Sequence, residues 1–74
     1  MVKLSKEVIS LISNRIQKIR EKAGLTQEKL AEKSGISLDY LGKIEVCINK
    51  PGLKTILKLA NALKIEPYSI FKFK

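Results

Sequence analysis

The sequence predicts an all-α domain of five short helices, and three observations carry that expectation. Apolar residues recur at steps of three and four through most of the chain, the spacing that gathers one stripe on a helix. Gly24, Gly35 and the Pro51-Gly52 pair fall at the breaks between those stretches. Nowhere does the chain alternate apolar and polar residues in the manner of a half-buried strand. With 74 residues there is room for a single domain over 1–74, whose small core must be efficiently packed.

Each element follows from local chemistry. Val8, Ile12, Ile16, Ile19 and Ala23 form the stripe of a first helix, which Gly24 stops by taking the left-handed conformation. Thr26 is a good cap for a second helix, with Leu30 and Ala31 facing inward and Glu28 near the positive end of its dipole. Gly35 ends that helix and Ile36 plugs inward. Ser37 then caps a third helix that carries Leu41 and Ile44 on its inner face. Beyond Pro51 and Gly52, a fourth helix is predicted from Leu53, Ile56, Leu57, Ala60 and Leu63. Pro67 suits the first turn of a short fifth helix that returns Ile70 and Phe71 to the core.

Composition narrows the function classes. Fifteen Lys and Arg against seven Asp and Glu give a net charge of +8, a balance that favours nucleic acid, an anionic membrane or an acidic protein as partner. Thirteen of the fifteen cations are Lys, which fits generic solvation as well as phosphate contact. One cysteine, Cys47, and no histidine leave no internal disulfide and no usual zinc spacing, so neither a metal nor a cofactor is expected. The chain offers no nucleophile–base constellation, which argues against an enzyme. Residues 1–12 are interrupted by Lys3, Lys6 and Glu7, so they lack the apolar run of a signal peptide. No stretch approaches a membrane span; the expected compartment is the cytoplasm.

Residues 24–45 read GLTQEKLAEKSGISLDYLGKIE, and here the sequence resembles the phage repressor and Cro-like helix-turn-helix family, often called XRE. The matching positions are Leu25, Thr26-Gln27, Leu30-Ala31, Gly35-Ile36-Ser37, Tyr40 and Ile44-Glu45, and the later PGLKTILKLANAL resembles the family's fourth helix. The likeness runs over about 12–71, with the helix-turn-helix at about 26–45, across the second and third helices. It implies a lambda-repressor-like DNA-binding domain. The pattern is also sound on its own physics. Ala31 is small where the third helix crosses, Gly35 accepts positive φ, and Ile36, Leu41 and Ile44 anchor the third helix. Leu38, Asp39, Gly42 and Lys43 are left facing outward, the geometry of a helix that enters a major groove roughly 12 Å wide.

The resemblance assigns an ion pair between Arg20, near the end of the first helix, and Glu45, at the end of the third; the alternative is two solvated charges. It also assigns Gln27 to a phosphate, where it would brace the recognition helix, although a plain surface role is the other reading. On the third helix, Lys43 is a candidate donor to guanine or phosphate, Leu38 a contact for a thymine methyl, and Asp39 an acceptor from cytosine. Asp39 is equally explained by the helix dipole. Tyr40 reads either as a phosphate donor or as packing against the second helix, and Ser37 as a cap first and a phosphate donor second.

The chain departs from the family in two ways. Residues 23–49 carry three basic and four acidic residues, net −1, whereas 1–22 carry +4 and 50–74 carry +5. After Glu45 the family has a Gly and basic or polar residues, but here Val46-Cys47-Ile48-Asn49 precede Lys50. Ile48 is expected to fill core space below the loop; alternatively Val46 and Cys47 belong to an apolar contact surface, with Asn49 and Lys50 on phosphates. The expected function is a sequence-specific DNA-binding regulator, a homodimer on double-stranded DNA. The C-terminal residues Ile65, Tyr68, Ile70, Phe71 and Phe73 are the expected dimer surface, with residues 2–11 a second candidate. The alternative is a protein-interaction module or antitoxin that binds a protein partner.

Overall fold

A computed structural model describes residues 5–72. Four α-helices, α1 (Lys6–Lys22), α2 (Gln27–Ser34), α3 (Leu38–Glu45) and α4 (Leu53–Leu63), are followed by a 3-10 helix over Pro67–Phe71, with no strand among the described residues. The fifth helix expected from Pro67 is therefore this 3-10 helix. Five residues are too few for an i→i+4 ladder, and the bonds run three residues back, Ser69 N–H to Glu66 O and Lys72 N–H to Ser69 O.

The caps follow the sequence chemistry. Ser5, Thr26 and Ser37 have extended backbones, and their hydroxyls accept from Val8, Lys29 and Tyr40 N–H respectively. Gly24 and Gly35 adopt positive φ of 74° and 75°, the left-handed exits that turn the chain after α1 and α2. Lys64 takes the same conformation after α4, and Cys47 takes it two residues past α3, at φ 66°. That is an uncommon demand on a residue with a Cβ.

The core joins Ile12 and Ile16 of α1, Leu30 and Ala31 of α2, Leu41 and Ile44 of α3, and Ile56, Leu59, Ala60 and Leu63 of α4, closed by Ile70. Several expectations are corrected here. Leu53 is 71% exposed and Leu57 lies outward, while Leu59 is fully buried. Ala62 aside, the apolar residues of α4 cover about half of its circumference; the 56-59-60-63 arc faces the bundle, and Leu53 and Leu57 sit at the edge of it. Phe71 and Ala23 are exposed, and Ile48 is 69% exposed instead of filling the core. Ile70 is fully buried, which removes it from any dimer surface; Phe73 lies outside the described residues. Arg15 of α1 ties the 3-10 helix down, donating from Nε to Ser69 O at 2.9 Å. No described helix is long and apolar enough to cross a membrane.

Candidate nucleic-acid interface

α2 and α3 are joined by Gly35, Ile36 and Ser37. Gly35 N–H and Ile36 N–H both donate to Ala31 O, at 3.0 and 3.2 Å, so the last turn of α2 closes on itself before the chain swings away. Ile36 packs against the core from this turn, and Ser34 Oγ donates to Leu30 O at 2.7 Å. Ser37 Oγ then accepts from Tyr40 N–H at 3.0 Å to start α3. Leu41 and Ile44 are fully buried beneath it, so α3 is held by its inner face.

Its far end is locked by charge. The Arg20 guanidinium meets the Glu45 carboxylate in a bidentate fork, Nε to Oε2 at 2.8 Å and Nη2 to Oε1 at 3.1 Å. Arg20 Nη1 donates to Leu25 O at 2.8 Å, and Gln27 Nε2 adds a bond to Glu45 Oε1 at 2.9 Å. Arg20 and Glu45 retain only 8% and 7% of their surface, so neither is a solvated charge. One carboxylate thus joins the ends of α1 and α3 to the start of α2. Gln27 thereby braces α3 through Glu45.

The remaining candidates separate into groups. Leu38, Asp39 and Lys43 project outward from α3, and Gly42 leaves room between them for Gln27 Oε1, about 4.0 Å from where a Cβ would stand. Asp39 and Lys43 pair with each other one turn apart at 3.1 Å, both well exposed. Each is thus partly satisfied within the helix, and the pair is easily opened because exposed ion pairs of this kind are weak. Tyr40 does not project with them. It is half-buried, packs on the core, and its hydroxyl lies 3.3 Å from Thr55 Oγ1 on α4.

Past α3, Ile48 N–H and Asn49 N–H both donate to Lys43 O, at 2.8 and 3.2 Å, which curls the loop under the helix end. This tight curl pushes Val46, Cys47 and Ile48 into solvent. Asn49 is half-buried and Lys50 exposed. Lys50 lies across from Lys6 of α1 along a groove of about 540 Å³ that also touches Cys47 and Ile48. Lys6 is a cation that sequence reasoning did not single out, since it is brought here only by the packing of α1 on α3. Among the described residues no cluster of His, Cys, Asp or Glu is able to hold a metal.

Two short helices at a glycine turn, the second clamped by its inner face and by a buried ion pair, define a helix-turn-helix domain. The chain belongs to the helix-turn-helix family HTH_3, whose model matches residues 16–70. It is 41% identical over 59 residues to the immunity repressor protein of Bacillus phage phi105, covering 80% of this chain and 41% of the repressor. The chain spans about half the length of the curated relatives it matches. Among solved structures it resembles the restriction-modification controller protein C.AhdI of Aeromonas hydrophila, at 40% identity and a TM-score of 0.83, over 85% of this chain and 96% of that one. It also resembles the P22 c2 repressor in complex with a synthetic operator, at 25% identity and a TM-score of 0.74, again over 85% and 96% of the two chains.

Proposed function

We propose that this domain is the DNA-binding part of a transcriptional regulator and acts as a homodimer on a two-fold operator, with α3 in the major groove. The observation that carries the reading is the division of α3. Its inner face and its C-terminal end are locked, while Leu38, Asp39, Gly42 and Lys43 lie on the outer face, Asp39 and Lys43 held only by an exposed pair. A recognition helix needs this rigidity, because base contacts lose value when the helix rocks. The kinship with repressors, one of them solved on operator DNA, supports carrying DNA binding across.

Leu38, Asp39 and Lys43 form the base-reading set, with Gln27 and Ser37 at the helix starts and Asn49 and Lys50 beyond α3 on phosphates. Tyr40 supports the helix through Thr55, with its half-buried ring leaving the hydroxyl as the atom for any phosphate contact. Because α2 and α3 carry little net positive charge, most of the phosphate attraction comes from lysines outside them, Lys6, Lys50 and Lys54 foremost. No cofactor, metal or catalysis enters this role, and it places the protein in the cytoplasm.

The dimer forms through the C-terminal region. Tyr68 and Phe71 are three residues apart on a 3-10 helix, so they share one face, and both are exposed. The molecule measures 32 × 24 × 19 Å. A dimer on a two-fold operator reads two half-sites about one DNA turn, roughly 34 Å, apart. A second reading, a module that binds protein as an antitoxin does, is favoured by the exposure of Val46, Cys47 and Ile48 beside α3.

Selection of bound duplexes from a random library at two salt concentrations tests the proposal. An enriched palindrome whose affinity falls steeply with salt is expected. Weak, salt-sensitive binding to every duplex without enrichment would favour the protein-binding reading.

A further inference from the structure

The flank of α1 turned away from α3 carries a feature that DNA binding leaves unused. Arg15, Lys18 and Lys22 rim a cleft of about 500 Å³ floored by Ile19, Leu63 and Ile65. Arg15 and Arg20 are five residues apart, so at about 100° per residue they leave α1 roughly 140° apart. Arg20 reaches Glu45 on α3, whereas Arg15 reaches Ser69 on the 3-10 helix. The cleft belongs to the flank of Arg15, about 140° around α1 from the side that meets α3.

The lining is cationic and apolar at once. No carboxylate lines the cleft among the described residues. Glu21, the acidic residue next to Lys22 in sequence, is turned to the other flank, where it meets Gln17 and Arg20. A phosphate chain would find the three cations but has nothing to lay on the isoleucine and leucine floor. A second copy of this chain is also a poor occupant, because a two-fold axis here would set one cationic rim against another. Tyr68 and Phe71 face elsewhere, since Ser69 lies about 120° from their side of the 3-10 helix.

We propose that this cleft docks an acidic amphipathic helix of a partner protein. Its apolar stripe lies on Ile19, Leu63 and Ile65, and its carboxylates pair with Lys18, Lys22 and the terminal nitrogens of Arg15. A volume of this order takes one or two large apolar side chains, the usual anchors of a helix in a groove. The partner and the duplex then occupy opposite flanks of α1 and bind together.

The test titrates the isotope-labelled full chain with a synthetic helix-forming peptide that carries Leu on one stripe and Glu on the other. Amide shifts should centre on Ile19, Leu63, Ile65 and Ser69. The double variant Lys18→Glu, Lys22→Glu should weaken the peptide about tenfold, each lost pair and its repulsive replacement contributing. An equal charge change at Lys33 and Lys58 should leave the peptide affinity within about twofold; both side chains are exposed, and Lys58 points roughly 140° from Leu63 on α4. Melting temperatures of both double variants check that each still folds. The proposal is overturned by no binding, by shifts centred on α3, by equal losses in the two double variants, or by a random-sequence duplex displacing the peptide. Concentration-dependent shifts at the cleft without peptide would assign it to a second copy and overturn it as well.

Discussion

Single residues in this chain are decided by what their immediate neighbours leave them. Lys43 illustrates this on α3. Its ammonium is 3.1 Å from Asp39, so a DNA contact must compete with an exposed pair that costs little to open. Lys43→Ala is expected to weaken binding by about 1–3 kcal/mol and to relax preference at one base step if it reads a guanine. Binding assays on single-base operator variants would show unchanged affinity and preference if Lys43 has no part in reading. Ser13 is the opposite case, fully buried in the α1 interface with no hydrogen-bond partner for its hydroxyl among the described residues. Ser13→Ala removes that unsatisfied group and should stabilise the fold by roughly 1 kcal/mol in denaturant titration. A loss of stability instead would mean that the hydroxyl is bonded in solution. Cys47, two residues past α3, holds a left-handed backbone that Gly adopts at less cost, so the α3–α4 loop opens on a strained residue.

Among the elements, the orientation of α3 depends on one ion pair. The Arg20–Glu45 fork, reinforced by Gln27 and the Leu25 carbonyl, sets α3 relative to α1 and α2 with almost no solvent access. Removing one partner strands the other, a loss of about 3–5 kcal/mol for a buried pair. Arg20→Ala should therefore lower the melting temperature far more than Lys22→Ala, whose side chain is exposed at the end of the same helix. Equal effects in thermal denaturation would mean that the fork contributes nothing net. Gln27→Ala, which leaves the fork intact but removes the brace, is a milder change. α4 shows how an element can be legible while its rotation is not. Leu53, Leu57 and Leu59 all fit a helical stripe, yet only Leu59 reaches the core. The apolar arc of α4 is wider than the face that the bundle covers, so the edge residues Leu53 and Leu57 stay in solvent.

Taken as a whole molecule, the chain distributes its charge around a nearly neutral reading head. On the proposed reading, the net −1 over residues 23–49 leaves phosphate attraction to the surroundings of α3, where Lys50 and Lys6 flank one groove beside the α3–α4 loop. The proposed dimer belongs to this scale. Tyr68 is 63% exposed, with the Lys72 ammonium 6.0 Å from its ring centroid, and it shares a face with Phe71. Sedimentation at micromolar concentration is expected to give the mass of two chains. Tyr68→Lys, which sets like charges across a two-fold axis, should shift it to one chain with little change in melting of the monomer fold. A wild-type monomer, or a variant dimer of undiminished affinity, would move the interface away from the 3-10 helix.

The sequence by itself determined the helix order, the caps at Thr26 and Ser37, the left-handed exits at Gly24 and Gly35, and the Arg20–Glu45 partnership carried by the family resemblance. Those features rest on local backbone chemistry, or on a motif whose spacing is fixed by the turn it encloses. Only the tertiary structure decided that Ile48 is exposed, that Tyr40 leans on Thr55, that Ile70 is core, and that Arg15, Lys18 and Lys22 surround a cleft. Each of these depends on which residues from distant segments meet. Periodicity defines a helix's stripe, but the direction in which a loop curls or a short 3-10 helix docks follows from packing between elements, a contact that no local pattern encodes.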